Sequence, residues 1–335
     1  MTGATELATV WAFIIAFAVF AYVVMDGFDL GLGMLFPLFP KKADRDLMMN
    51  TVAPVWDGNE TWLVLGGGAL FAAFPLAYAV VMPALYTPII AMLIGLIFRG
   101  VAFEFRARSR RQNGWDLAFA GGSLLAAVSQ GIALGAILQG IVVDGRQYGG
   151  GWWDWLTPFS LLTGAALVAG YGLLGATWLI LKTQGGLRER AYRLSQPLLI
   201  ATLVAIVAVS LATPFLEAEY WRRWFAWPNI VLTAPVPIAV AAAALALWRS
   251  LAARRDTPPF FLALALFALG YAGLGISMWP YIVPRSITIW DAAAPANSQA
   301  FMLVGVAIMI PIILAYTGWA YWVFRGKVDP DAGYH

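Results

Sequence analysis

Nine predominantly apolar runs, each about 20 residues or longer, divide this chain. They fall at roughly 8–36, 54–76, 79–104, 115–141, 157–181, 197–216, 229–249, 259–282 and 299–324. A run of that length crosses a bilayer as a helix. In hydrocarbon a segment must satisfy its own backbone hydrogen bonds, and runs of this kind do so by forming helices. The expected fold is an all-α polytopic membrane protein with nine transmembrane helices, forming a single transmembrane domain over 1–335. Composition agrees, since 61% of the residues are hydrophobic and 12% charged, against about 25% charged in a soluble domain.

The basic residues set the expected orientation. Sixteen of the 21 Lys and Arg residues lie in alternate loops, after the first, third, fifth, seventh and ninth runs. The intervening loops hold only Arg146, Arg222, Arg223 and Arg285, and Arg99 lies within the third run. Basic loops stay in the cytoplasm, so the N-terminus is expected in the periplasm and the C-terminus in the cytoplasm. An even number of spans would spoil the alternation. The first run follows TGATEL, which carries Glu6 and no Lys or Arg, so it reads as a retained helix rather than a signal peptide. The net charge of +3 reflects this loop pattern and does not point to nucleic acid.

The loops on the opposite side are rich in tryptophan and proline: GGGWWDW at 149–155, EYWRRWFAW at 219–227 and YIVPRSITIWDAAAPANSQ at 281–299. Trp and Tyr suit the headgroup level, where an amphipathic ring is half wet. Glycines within the runs, at Gly27/Gly31, Gly66–Gly68, Gly131/Gly135 and Gly170/Gly172/Gly175, let helix backbones approach closely. They lack the strand and the lysine of a phosphate loop. Pro83 and Pro88 are expected to kink the third span.

The residue types present restrict the chemistry. There is no cysteine, and the one histidine is His335, the last residue. Haem needs an axial ligand such as His, Met or Cys, and the ten methionines read as core filler. No Ser/His pair, Cys nucleophile or His/carboxylate metal triad is available. The chain by itself offers no catalytic site.

What remains is a set of ionisable residues within or bordering the apolar runs. Asp26 and Asp29 lie near the cytoplasmic end of the first span, Asp57 and Glu60 at the start of the second, and Arg99 and Glu104 near the end of the third. The expected topology brings all six to similar depth. Each carboxylate pair is three residues apart and shares a helix face. Intramembrane charges are expensive and normally face a bundle interior or a water path. One reading is an internal salt-bridge cluster neutralised by Arg99; the other is a hydrated proton path open to the cytoplasm. One arginine cannot neutralise five carboxylates, so some must share protons or meet water.

Three segments, VVMDGFDLGLGML, APVWDGNETWLVLGGGALFAAFPLAYA and LIFRGVAFEFR, resemble subunit II of cytochrome bd-type quinol oxidases, in its cyanide-insensitive branch. The C-terminal IWDAAAPANSQ and VAIMIPIILAYTGWAYWVFRGKV are similar to the last loop and last helix of that family. The resemblance implies two four-helix bundles plus one peripheral helix. It also implies pairing with a subunit I that carries b and d haems, and location in the bacterial inner membrane. Subunit II binds no haem; some members hold a structural quinone, and some complexes include a small single-helix subunit. The resemblance associates Asp29 and Asp57 with a proton path toward the oxygen-reducing site and matches Arg99 to the family's arginine there. Glu60 stands where some members have glutamine. The expected function is a haem-free subunit of a quinol:oxygen oxidoreductase that helps conduct cytoplasmic protons. A proton- or cation-coupled secondary transporter and an inert scaffold are the alternatives.

Overall fold

The computed structural model describes residues 2–329; His335 lies outside them. The chain is helical almost throughout. Its elements are α1 (Thr2–Leu35), α2 (Lys42–Val52), α3 (Trp56–Ala73), α4 (Pro75–Ala84), α5 (Tyr86–Arg106), α6 (Asn113–Leu138), α7 (Pro158–Lys182) and α8 (Gly185–Leu216). There follow α9 (Ala218–Phe225), α10 (Asn229–Thr233), α11 (Pro235–Ala252), α12 (Pro258–Met278) and α13 (Ala296–Val323). Two small antiparallel hairpins, β1–β2 (Val143–Asp144 with Gln147–Tyr148) and β3–β4 (Tyr281–Val283 with Ile287–Thr288), lie at one end of the bundle.

Among the described residues, eight helices are long and apolar enough to cross a membrane. They match eight of the nine expected runs. The exception is the second, which forms α3. Its first turn carries Asp57, Asn59 and Glu60, and it ends after 18 residues at Phe74, whose φ −132°, ψ 63° leaves the helical region ahead of Pro75. Proline lacks the amide that would continue the ladder.

The third run departs from expectation. Residues 75–84 form the separate helix α4, the chain turns at Leu85, and the spanning helix begins at Tyr86. Pro83 sits in the last turn of α4 and Pro88 in the first turn of α5. The prolines therefore border a break instead of kinking one span. Helix α4 lies against β2 and β3, where Ala77, Val80 and Val81 join Trp11, Phe74, Val283 and Ile287 in an apolar cluster.

Glycines bring α1 against α7, and α5 against α6, at short range. A Cβ on Gly31 of α1 would collide with the Tyr171 carbonyl oxygen, and one on Gly175 of α7 would come within 2.5 Å of the Gly31 carbonyl carbon. Gly95 and Gly122 bring α5 and α6 together in the same way. In lipid, such small-residue contacts gain packing that larger side chains would prevent. Gly67 and Gly68, also expected at a helix contact, face nothing within 4 Å. Helix α7 begins with a reciprocal cap: Thr157 Oγ1 accepts from the Ser160 amide at 3.0 Å, and Ser160 Oγ accepts from the Thr157 amide at 2.9 Å.

The end opposite the hairpins is rich in basic residues and tied by ion pairs. Helix α2 is amphipathic and had no counterpart among the expected runs. It is fixed where Arg106 contacts Asp116 at 2.5 Å and Asp46 at 2.6 Å. Arg45 reaches Asp116 at 3.0 Å. The segment after α13 is strapped down as well. Lys327 Nζ donates to the carbonyls of Ile180 (2.8 Å) and Thr183 (2.9 Å) and pairs with Asp256 at 2.7 Å.

Candidate functional site

Helix periodicity places Asp26 and Asp29 one turn apart on α1, both buried at 0% and 2% exposure. Helix α5 brings Arg99 against them from 73 residues further along the chain. Its Nη1 donates to Asp26 Oδ1 at 2.6 Å, and its Nη2 donates to Glu60 of α3. Arg99 is itself only 1% exposed, while the Glu60 side chain retains 26%. Arg99 lies seven residues before the end of α5, about 10 Å into the bundle from the basic end.

Asp29 is held differently. Asn59 Nδ2 donates to Asp29 Oδ2 at 2.7 Å and to the Met25 carbonyl at 3.3 Å. Asn59 Oδ1 accepts from the Tyr321 hydroxyl of α13 at 2.9 Å. A second arm reaches the other side of the bundle. Gln130 Nε2 of α6 donates to the Tyr22 hydroxyl at 2.6 Å, one turn from Asp26, and Gln130 Oε1 accepts from Tyr171 of α7 at 2.9 Å. Three buried atoms in the cluster make no hydrogen bond: Asp26 Oδ2, Asp29 Oδ1 and Arg99 Nε.

Of the six residues singled out in the sequence, the structure brings together Asp26, Asp29, Glu60 and Arg99. Asp57 stays exposed on the first turn of α3, one turn from Glu60, and Glu104 is exposed on α5. Neither contacts the buried group. Asn59, Tyr321, Gln130, Tyr22 and Tyr171 belong to the network and were missed. Gln130, an amide in the middle of an apolar 26-residue helix, was one available signal; Asn59, between two acidic residues, was another.

One guanidinium thus faces three carboxyl groups in a bundle interior, with two carboxyl oxygens left open. Such a cluster can hold and exchange protons. Among the described residues no group of three or more His, Cys, Asp or Glu could hold a metal ion. The fold and the site define a polytopic helical membrane protein with an internal acid–base cluster.

Comparison with known proteins identifies the class. The family model for cytochrome bd terminal oxidase subunit II matches residues 7–324. Subunit 2 of the cytochrome bd-I ubiquinol oxidase of Escherichia coli K12 is 31% identical, over 97% of this chain and 96% of that protein. A probable cytochrome oxidase subunit 2 of Haemophilus influenzae is 32% identical with the same coverage. A chain of the bd oxidase from Geobacillus thermodenitrificans superposes with a TM-score of 0.76 at 17% identity, covering 95% of this chain and 98% of that one. The chain belongs to the family of cytochrome bd oxidase subunit II. It is therefore a component of an oxygen-reducing quinol oxidase of the bacterial inner membrane, paired with a haem-bearing subunit I. The transporter alternative falls away.

Proposed function

We propose that the Asp26–Asp29–Glu60–Arg99 cluster conducts protons from the cytoplasm toward the oxygen-reducing site of the partner subunit. The observation that carries this reading is a gradation in exposure. Asp57 is exposed, Glu60 is half-buried, and Arg99, Asp26 and Asp29 are buried behind it. Charges arranged in this order let a proton move inward without any carboxylate being isolated in hydrocarbon. Arg99 offsets part of the negative charge, and protons shared among the carboxyl groups offset the rest. Asp57, and Glu104 on the neighbouring helix, collect protons and water at the mouth.

In this reading the basic end of the bundle is cytoplasmic and the hairpin end periplasmic. The N-terminus is then outside and the C-terminus inside. The one-sided basic residues support that orientation. Helix α3 serves as a ninth span: its 18 residues reach about 27 Å, close to the roughly 30 Å hydrocarbon thickness. The nine spans form one membrane domain, with two four-helix bundles and one peripheral helix. The b and d haems, which oxidise quinol and reduce oxygen, reside in the partner. The chemistry of this chain agrees, since its only histidine is the last residue and it has no cysteine.

The experiment is to assay Asp29→Asn and Asp57→Asn in the assembled two-subunit oxidase. Both variants are expected to keep the haem spectrum and to lose most oxygen consumption. Wild-type turnover in correctly assembled variants would overturn the proton-path reading. Because the chain has no native cysteine, single replacements at Lys41 and Trp152 report orientation by labelling with a membrane-impermeant thiol reagent. The expected result is labelling of the first only from the cytoplasmic side and of the second only from the periplasmic side.

A further inference from the structure

Tyr321 lies 262 residues from Asn59 in sequence and on a helix whose apolar length is otherwise hardly buried. Phe301, Val304, Ile308 and Ile312 on that helix are all more than half exposed. Helix α13 is instead held near its two ends. At the hairpin end, Trp11 Nε1 donates to the Gln299 carbonyl at 3.1 Å. At the basic end, two lysines exchange places. Lys182, the last residue of α7, donates to the Phe324 carbonyl that terminates α13, at 2.5 Å. Lys327, just beyond α13, donates to the Ile180 and Thr183 carbonyls that terminate α7. Each cation caps the negative end of the other helix, and Val328 N donates to the Lys182 carbonyl at 2.8 Å. Tyr321 sits one turn before this clasp.

The ring of Tyr321 packs edge-on against Trp178 at 6.4 Å between centroids. Trp178 in turn stacks on Phe28, the residue before Asp29, at 4.3 Å, and donates Nε1 to Thr51 Oγ1. The hydroxyl therefore has one well-defined direction, toward Asn59 Oδ1.

This matters because an amide has a donor end and an acceptor end. The Met25 carbonyl can only accept, and so draws Asn59 Nδ2 toward α1. The Tyr321 hydroxyl donates to Oδ1 from the opposite side. Together they aim the remaining Nδ2 hydrogen at Asp29 Oδ2, leaving Oδ1 of that carboxyl group open. Without the hydroxyl, the amide loses one of two constraints. A reversed amide would present oxygen to oxygen unless Asp29 carried a proton.

We infer that Tyr321 is a positioning residue for the Asp29 carboxyl group, acting through Asn59 and kept in place by the Lys182–Lys327 clasp. The inference rests on the proton-path reading and adds to it the device that presents one carboxyl oxygen to the path while anchoring the other.

The test uses the complete two-subunit oxidase and three variants: Asp29→Asn, Tyr321→Phe and the control Tyr271→Phe. Tyr271 is a half-buried tyrosine that donates to the Ala16 carbonyl at 2.7 Å and makes no hydrogen bond to a carboxylate. Two readouts are taken: the pH profile of oxygen consumption, and the carboxyl bands of the redox-induced infrared difference spectrum. Tyr321→Phe is expected to displace the profile by up to about one pH unit, the scale of losing the charge-assisted Asn59–Asp29 hydrogen bond that the hydroxyl aligns. It should also shift the carboxyl band that Asp29→Asn removes. Tyr271→Phe should do neither.

If Asp29→Asn lowers turnover while Tyr321→Phe has the wild-type profile and band, the positioning role is overturned and the path survives. If Asp29→Asn leaves turnover and spectrum unchanged, the path itself fails. Should Tyr321→Phe not assemble, Asn59→Ser removes the amide through which Tyr321 acts and is expected to displace the profile in the same direction. Failure of both to assemble would mark the pair as purely structural and overturn the inference.

Discussion

Arg99 Nη1 lies 2.6 Å from Asp26 Oδ1, with the two side chains 2% and 0% exposed. Helices α1 and α5 are therefore joined by a buried ion pair. Removing one partner of a buried pair strands the other and typically costs about 3–5 kcal/mol, more than the net worth of the pair. Arg99→Met is expected to lower the unfolding temperature of the assembled oxidase sharply. The double variant Arg99→Met/Asp26→Asn should recover part of that loss. Strictly additive effects in a double-mutant cycle would show that the two residues are not coupled.

Gly31 and Gly175 make the α1–α7 crossing possible by leaving no room for a side chain. Gly31→Ala must separate the helices and should cost about 1–3 kcal/mol or more, read as lower thermal stability and reduced yield of assembled complex. Gly186→Ala, at the exposed start of α8 where nothing lies within 4 Å, is the matched control and should be neutral.

The strap after α13 should release in acid. Burial alone would raise the Asp256 carboxyl, but hydrogen bonds from Lys327, Tyr192 and Arg188 outweigh it and hold the group below the ordinary carboxylate value. A group depressed in the folded state stabilises it above its unfolded value and ceases to do so as pH falls through the folded one. The strap is therefore intact at neutral pH and weakens below about pH 4. The protection of amides 325–329 against hydrogen exchange, taken relative to the intrinsic rate at each pH, should fall on acidification in the wild type. Asp256→Asn should show the low protection already at pH 7.

Asp116 receives both Arg45 and Arg106, so it anchors α2 to the bundle. Asp116→Ala leaves the buried Arg106 with Asp46 alone. In a Met48→Cys background, where the native side chain is fully buried, the substitution should raise the rate of thiol labelling. An unchanged rate would mean that apolar packing alone docks α2.

The spanning helices could be read from the sequence because bilayer insertion depends on local composition. An apolar run must become a helix whatever lies beside it. Eight of nine runs match long helices for that reason. The same reasoning merged α4 into its neighbour, since hydropathy does not register the turn that Phe74, Pro75 and Leu85 impose.

Charge legibility followed a similar division. Buried aspartates and Arg99 stand out because ionised groups are costly in hydrocarbon, so the sequence by itself determined that an internal charge cluster exists and which chain segments supply it. It did not determine membership. Asp57 and Glu60 are three residues apart, yet one is exposed and the other pairs with Arg99. Which of them turns inward depends on how α3 is rotated against α1 and α5. Neutral partners were hidden more completely. Asn59 and Tyr321 cost little to bury once hydrogen-bonded, carry no charge to mark them, and meet because α13, tied at both ends, lies across the bundle. The tertiary structure alone decided that the Asp29 carboxyl group has one anchored oxygen and one open one, because hydrogen-bond direction is set by partners that are distant in sequence.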